Sequence, residues 1–257
     1  MASSTIAVFH AHDFPSAGTP DERLRFLVHF AVQAPSSHNS QPWLFRVGTG
    51  ALDLIADRSR ALAVVDPSDR ELTISCGAAL DHLVVSAAAF GQSAETTILP
   101  EPGDPDVLAR LRLGTSHRTP TGEQEALFQA IPRRRTNRKR FEDRDLPTEV
   151  VGQMVAAATA EGAWLAPLVH DDSRRAAVLL VIEGDRVQFD NPSFRRELAA
   201  WLHPRRSGDG LAVPGAILPV AHFMVRFFDM GDRTAARDEH LMAGSPLLAV
   251  LGTDADR

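Results

Sequence analysis

The stretch Ala34-Pro35-Ser36-Ser37-His38-Asn39-Ser40-Gln41-Pro42-Trp43 joins an amphipathic helix to a strand, and its reading decides the fold. Prolines stiffen it near both ends, and between them lie hydroxyls, amides, an imidazole and several backbone N–H groups. Such a loop matches the edge of a planar heterocycle rich in hydrogen-bond donors and acceptors. The alternative is an ordinary helix-to-strand connection made of turn residues. On its N-terminal side, Thr19 serves as N-cap, Pro20 as the first helical residue, and Glu22 completes a capping box. Leu24, Leu27, Val28 and Ala31 then share one face of a helix spanning Pro20 to Ala34. On its C-terminal side, Trp43 to Val47 and Leu52 to Ala56 form the strands of a hairpin about Gly48-Thr49-Gly50.

Farther along, a helix is expected from Glu71 to Phe90, with Leu80, Leu83, Val84 and Ala87 as its stripe and Gly91 past its end. Strands at Thr96 to Leu99 and Leu108 to Leu113 follow. The turn-rich stretch Thr115 to Gly122 divides a first lobe, residues 1–114, from a second, residues 115–257. The second lobe opens on a short helix, Glu123 to Ile131, and a basic run. It continues with a helix at Pro147 to Glu161, a strand at Trp164 to Val169, and helices at Ser173 to Phe189 and Pro192 to Leu202. A Pro- and Gly-interrupted stretch, Leu211 to Met230, precedes a helix at Thr234 to Met242 and a strand at Pro246 to Gly252. The fold class read from this pattern is α+β: two pseudo-symmetric lobes, each with a mostly antiparallel sheet flanked by helices.

The lobes are unequal copies. Helix 20–34 with strand 43–47 has the same outline as helix 147–161 with strand 164–169. The first copy keeps the long polar loop, which shrinks to Gly162-Ala163 in the second. The second copy has an arginine-rich segment before its helix, where the first has none. The chain ends soon after strand 246–252, so the second lobe reads as lacking its C-terminal part.

That segment is Arg133-Arg134-Arg135-Thr136-Asn137-Arg138-Lys139-Arg140-Phe141. If it is extended, Arg134, Thr136 and Arg138 point the same way, and two guanidiniums about a hydroxyl suit a phosphate. The competing reading is a solvated basic strip answered by Glu142, Asp143 and Asp145.

Composition sets the outer bounds. Cys76 is the single cysteine of 257 residues, so an internal disulfide and a multi-cysteine zinc site are both excluded, and a reducing cytoplasm is expected. No uninterrupted apolar run approaches a membrane span, and the first fifteen residues do not read as a targeting signal. A net charge of −6 argues against general nucleic-acid binding.

Pro35-Ser36-Ser37-x-Asn39-x-Gln41-Pro42-Trp43 resembles the loop of the flavin-dependent nitroreductase family, and Arg134-x-Thr136-x-Arg138 resembles its phosphate motif. Asp57-x-x-Arg60-x-Leu62, Asp66-Pro67-x-x-Arg70-Glu71-Leu72 and Ser75-Cys76-Gly77-x-Ala79-Leu80 resemble the Acg-type branch, in which two such lobes are fused. The resemblance implies FMN as cofactor, with Pro35, Ser36, Ser37 and Asn39 nearest the isoalloxazine ring and Arg134, Thr136 and Arg138 on the phosphate. It implies one such site per chain and a monomeric fused pseudo-dimer. It also implies NAD(P)H as hydride donor and a nitroaromatic, quinone or similar acceptor as its partner. The flavin carries the chemistry, so no side chain is required as catalytic acid or base. His38 is a candidate for the substrate side. The alternative function is a non-catalytic flavin-binding or flavin-sequestering protein.

Overall fold

A computed structural model describes residues 13–204 and 208–254; residues 1–12, most of the stretch read above as free of a targeting signal, lie outside them. By contacts the chain divides into two units, Met1–Arg135 with Ala200–Ala221, and Thr136–Ala199 with His222–Arg257.

The first unit starts from helix α1, Pro20–Ala31. Its capping box forms as expected: the Thr19 hydroxyl accepts from the Glu22 amide, and the Glu22 carboxylate accepts from the Thr19 amide at 2.7 Å. The helix stops three residues short of Ala34. The Gln33 and Ala34 amides reach carbonyls three residues back, which tightens the last turn before Pro35. Strands β1 (Trp43–Gly48) and β2 (Ala51–Ala56) make the hairpin, and helix α2 spans Arg70–Ala89. Strands β3 (Gln92–Ile98) and β4 (Val107–His117) complete a four-stranded antiparallel sheet in the order β1-β2-β4-β3.

β3 begins four residues earlier than its apolar content suggests. Gly91, at φ +70°, turns the chain directly from α2 into the sheet, and a Cβ there would lie 2.5 Å from the Arg118 carbonyl. β4 likewise runs past Leu113 to His117, opposite Gln92.

Helices α1 and α2 cover one face of this sheet. Leu24, Leu27, Ala31, Leu52, Leu83, Ala87 and Leu111 form one fully buried cluster, and Ala34, Trp43, Leu54, Leu72, Cys76, Ala79 and Ala109 form the next. α2 is long and apolar enough to cross a membrane by length and composition alone, but it is the core helix of this unit.

Alternation along β2 places Leu52 and Leu54 in the core and Asp53 on the opposite face. Asp53 lies opposite Arg46 on β1 and Arg110 on β4. Its carboxylate accepts from Arg110 Nε at 2.6 Å and Arg46 Nη2 at 2.9 Å, and Arg110 also reaches Glu101. Hydrogen bonding from Arg110, and then from Arg46, outweighs the opposing effect of burial and holds the Asp53 carboxyl below its ordinary range. The folded-state pKa is depressed, so this contribution to stability is complete above the unfolded-state value and disappears as the pH falls through the folded one. Urea titrations across the acid range are expected to show that loss, and Asp53→Asn is expected to flatten it.

Helix α3, Gly122–Ala130, adds Phe128 to a third, aromatic cluster with Phe26 and Phe30. Strands β6 (Leu202–Pro204) and β7 (Leu211–Val213), which belong to this unit, pair in parallel.

In the second unit, helices α4 (Thr148–Ala160), α5 (Asp171–Asp190) and α6 (Pro192–Ala200) follow in order, with strand β5, Trp164–Pro167, between α4 and α5. Helix α7, Leu218–Phe227, starts in the first unit and passes into the second after Ala221; it forms inside the stretch read as interrupted, because Pro219 sits in its first turn, where a missing N–H costs no helical bond. α8, Gly231–Ala243, packs on α5 where Gly231 lies against Phe189. β5 pairs antiparallel with β8, Ala249–Gly252.

Candidate functional site

The quoted loop is built by left-handed backbone at residues with side chains. Ser37 to Asn39 make one turn of 3-10 helix, and His38, Asn39 and Gln41 sit at φ of 50°, 53° and 51°. Each such residue costs on the order of 1–2 kcal/mol relative to right-handed backbone, somewhat less for asparagine.

Local bonds hold part of this shape. The Asn39 and Ser40 amides donate to the Ser36 and Ser37 carbonyls, both at 2.9 Å, and the Gln41 amide donates to Ser36 Oγ at 2.9 Å. The underlying elements anchor the rest. The Asp57 amide and the Cys76 thiol both donate to the Pro42 carbonyl, at 3.0 and 3.2 Å, and the Ser37 hydroxyl donates to Glu71 in the first turn of α2. Burial pushes the Cys76 thiol up to about 12, so it is a hydrogen-bond donor and not a nucleophile at neutral pH.

Two further groups grip the loop, and neither was assigned a site role from the sequence. Arg60, in the turn after β2, donates from Nε to the Ser40 carbonyl at 2.5 Å. The turn between β6 and β7 supplies the other. The Gly210 amide donates to the Asn39 carbonyl at 3.1 Å, Asn39 Nδ2 donates back to the Gly210 carbonyl at 3.2 Å, and Gln41 Nε2 donates to the Gly208 carbonyl at 2.7 Å. Asp209 pairs with Arg60 and with His203 Nδ1. Asp57-x-x-Arg60 is visible as a motif in the sequence, but nothing there says that Arg60 meets Asp209, 149 positions away.

Pro35 and Asn39 are exposed, and Ser36, Ser37 and His38 are half-buried. Beside the loop lies an open cavity of about 560 Å³, with Val28, Val32, Trp43, Leu44 and Phe45 along one side and Gln41, Asp57, Arg60 and Asp209 at its polar end.

Arg134 belongs to the same unit. Its guanidinium donates to the Gln33 carbonyl at 3.4 Å, two residues before Pro35, so the first arginine of the motif expected to bind phosphate stands at the entrance to the loop. Beneath it His82 on α2 meets the Phe30 carbonyl at 3.2 Å. Burial pushes His82 below its ordinary range, against the opposing effects of its hydrogen bond with Phe30 and the charge of Asp81. Thr136 and Arg138 open the second unit; both are exposed, and within that unit the Arg138 carbonyl faces Arg237. Among the described residues neither Arg134 nor Arg138 is paired with a carboxylate.

In this antiparallel α+β unit a donor- and acceptor-rich loop lies beside a guanidinium that is paired with no carboxylate among the described residues, a donor set chemically suited to a phosphorylated heterocycle. Over 271 residues the chain is 32% identical to Rv3131 of Mycobacterium tuberculosis H37Rv, provisionally named an NAD(P)H nitroreductase; the match takes in 96% of this chain and 76% of that protein. It is 29% identical over 197 residues to Acg of the same organism, also provisionally an NAD(P)H nitroreductase, covering 77% of this chain and 59% of the relative. A shorter match, 36% over 67 residues, covers 25% of this chain and 19% of a Serratia protein, PigM, named a probable NAD(P)H nitroreductase. No family model matches the chain. The chain belongs to the NAD(P)H nitroreductase family.

Proposed function

We propose that this chain is an FMN-dependent oxidoreductase that takes hydride from NAD(P)H and delivers it to a nitroaromatic, quinone or similar acceptor. Pro35, Ser36, Ser37 and Asn39 would face the isoalloxazine ring, with His38 on the substrate side, and Arg134, Thr136 and Arg138 would hold the phosphate. The observation that supports this reading is the Arg134 contact with Gln33, since Arg134 and the loop that starts two residues later lie in one folded unit.

The donor set fits the group. FMN has a dianionic phosphate, which two guanidiniums and a hydroxyl match, and a planar ring whose edge mixes donors and acceptors, which the loop matches. When bound, FMN supplies the hydride-carrying chemistry. The chain supplies position and charge. Arg134 and Arg138 fix one end of the cofactor electrostatically, and the stiff loop presents hydroxyl and amide groups without reorganisation during turnover. The unequal copies support two lobes, residues 1–114 and 115–257, as a fused pseudo-dimer in which one lobe brings the loop and the other the arginines.

The test is the protein's own spectrum. A yellow protein, or an apoprotein that takes up added FMN, whose visible band bleaches anaerobically with NAD(P)H and returns on adding a nitroaromatic is the expected result. A protein that binds no FMN overturns the proposal. Bound FMN that NAD(P)H fails to bleach selects flavin sequestration instead.

A further inference from the structure

We propose that Arg60 and Asp209 are positioning residues for the cofactor loop: their ion pair clamps the Gly208–Gly210 segment onto residues 39–41 and keeps the loop in its left-handed shape. The inference rests on the reading of that loop as the flavin contact.

Three left-handed residues with side chains within four positions make a strained loop, and bonds inside it hold the amides of Asn39, Ser40, Gln41 and Trp43. The Gly208–Gly210 segment satisfies the other side. It exchanges a backbone bond and a side-chain bond with Asn39, and it takes the Gln41 amide group as well. Both of its glycines are themselves left-handed, at φ +88° and +70°, and a Cβ on Gly210 would lie 2.6 Å from the Trp201 carbonyl. Backbone at these angles favours glycine at both positions, and at Gly210 there is no room for a side chain.

Asp209, between these glycines, fastens the segment. One guanidinium serves both sides: Arg60 Nε holds the Ser40 carbonyl of the loop, while Nη2 holds Asp209 of the clamp, and the same side chain lies over Trp201 at 5.7 Å. The two directions need a planar fork, which lysine cannot supply. Both side chains are about one third exposed, so the ion pair adds little as an ion pair. Its consequence is geometric. Backbone carbonyls can only accept, so Asn39 and Gln41 must turn their NH₂ groups toward the clamp, and their amide oxygens become the groups offered to a ligand. The clamp therefore sets the polarity of the loop as well as its shape.

The test uses the full chain as wild type, Arg60→Gln, Asp209→Ala, the double variant and Arg60→Lys. FMN is titrated by flavin fluorescence, the visible spectrum of the bound flavin is recorded, and amide hydrogen exchange at residues 39–41 is measured without flavin. Each single substitution is expected to weaken FMN binding about tenfold, to speed exchange at these amides and to alter the bound-flavin spectrum. The double variant is expected to be no worse than the weaker single one, and Arg60→Lys is expected to recover only part of the affinity. Additive losses in the double variant, or exchange at residues 39–41 that neither substitution changes, would overturn the clamp. Should the wild type bind no FMN, the flavin reading fails, and the exchange measurement alone decides whether the clamp exists.

Discussion

Replacing Arg134 and Arg138 together by alanine is expected to strip the protein of FMN, lowering its affinity at least a hundredfold or so while leaving the fold intact. The size follows from chemistry that survives exposure to water. A charge-assisted hydrogen bond to a phosphate contributes roughly 1.5–3 kcal/mol, and about 1.4 kcal/mol is a factor of ten in affinity. Losing two such groups therefore costs at least two orders of magnitude, even if each delivers only the lower figure. The fold is spared because both side chains are exposed and unpaired with carboxylates among the described residues, so truncation leaves no buried partner behind. The long Arg134 contact to the Gln33 carbonyl is the only side-chain bond lost from either residue among those described, and exposed substitutions of this kind move stability by about 0.5 kcal/mol or less. Equilibrium dialysis against FMN together with urea denaturation checks both halves. A double variant that holds FMN as tightly as the wild type would remove the phosphate assignment. Arg134→Lys separates charge from geometry: it keeps the charge and loses the fork, so a partial loss is expected.

What could be read in advance, and what could not, follows the range of the interactions involved. Helix α1 was legible because its start is encoded by three residues within four positions, Thr19, Pro20 and Glu22, whose bonds close within one turn. The β1–β2 hairpin was legible for the same reason. β3 was read short because Gln92 to Glu95 carry little apolar signal; the strand exists because Gly91 turns the chain and β4 offers partners as far as His117. The loop's residues were legible as a set, but its shape was not. His38, Asn39 and Gln41 occupy backbone that their sequence neighbours give no reason to adopt, and part of what holds them, Gly208 to Gly210, comes from far along the chain. Arg60 illustrates the same limit. Its motif could be seen in the sequence, but its role depends on Asp209, and a contact of that range leaves no local periodicity to find.

The converse experiment removes stability and spares the site. Leu83→Ala is expected to destabilise the first unit by about 2–5 kcal/mol, because Leu83 has 0% exposure and its side chain fills the space between α1, α2 and the sheet, against Leu24, Leu27, Leu52 and Leu111. Those neighbours are held by the helix pair and by two central strands, so they relax only partly into the void, and the cavity adds to the lost transfer free energy. The adjacent Val84 is 37% exposed, and Val84→Ala is expected to cost less than about 1 kcal/mol, which controls for any general effect of shortening a side chain on α2. The loop, by contrast, is tied to α2 at Glu71 and Cys76, twelve and seven residues from Leu83, roughly 18 and 10.5 Å along the helix axis. Changes separated by more than about 7–10 Å and sharing no partner combine additively, so FMN affinity measured well below the unfolding transition is expected to stay within about twofold of wild type. Urea denaturation followed by circular dichroism gives the stability, and flavin titration at low temperature gives the affinity. If Leu83→Ala instead lost FMN as completely as the double arginine variant, the helix pair would have to transmit core strain into the loop, and the loop would not be the rigid platform that its bonds to Pro42, Ser40 and Asn39 describe.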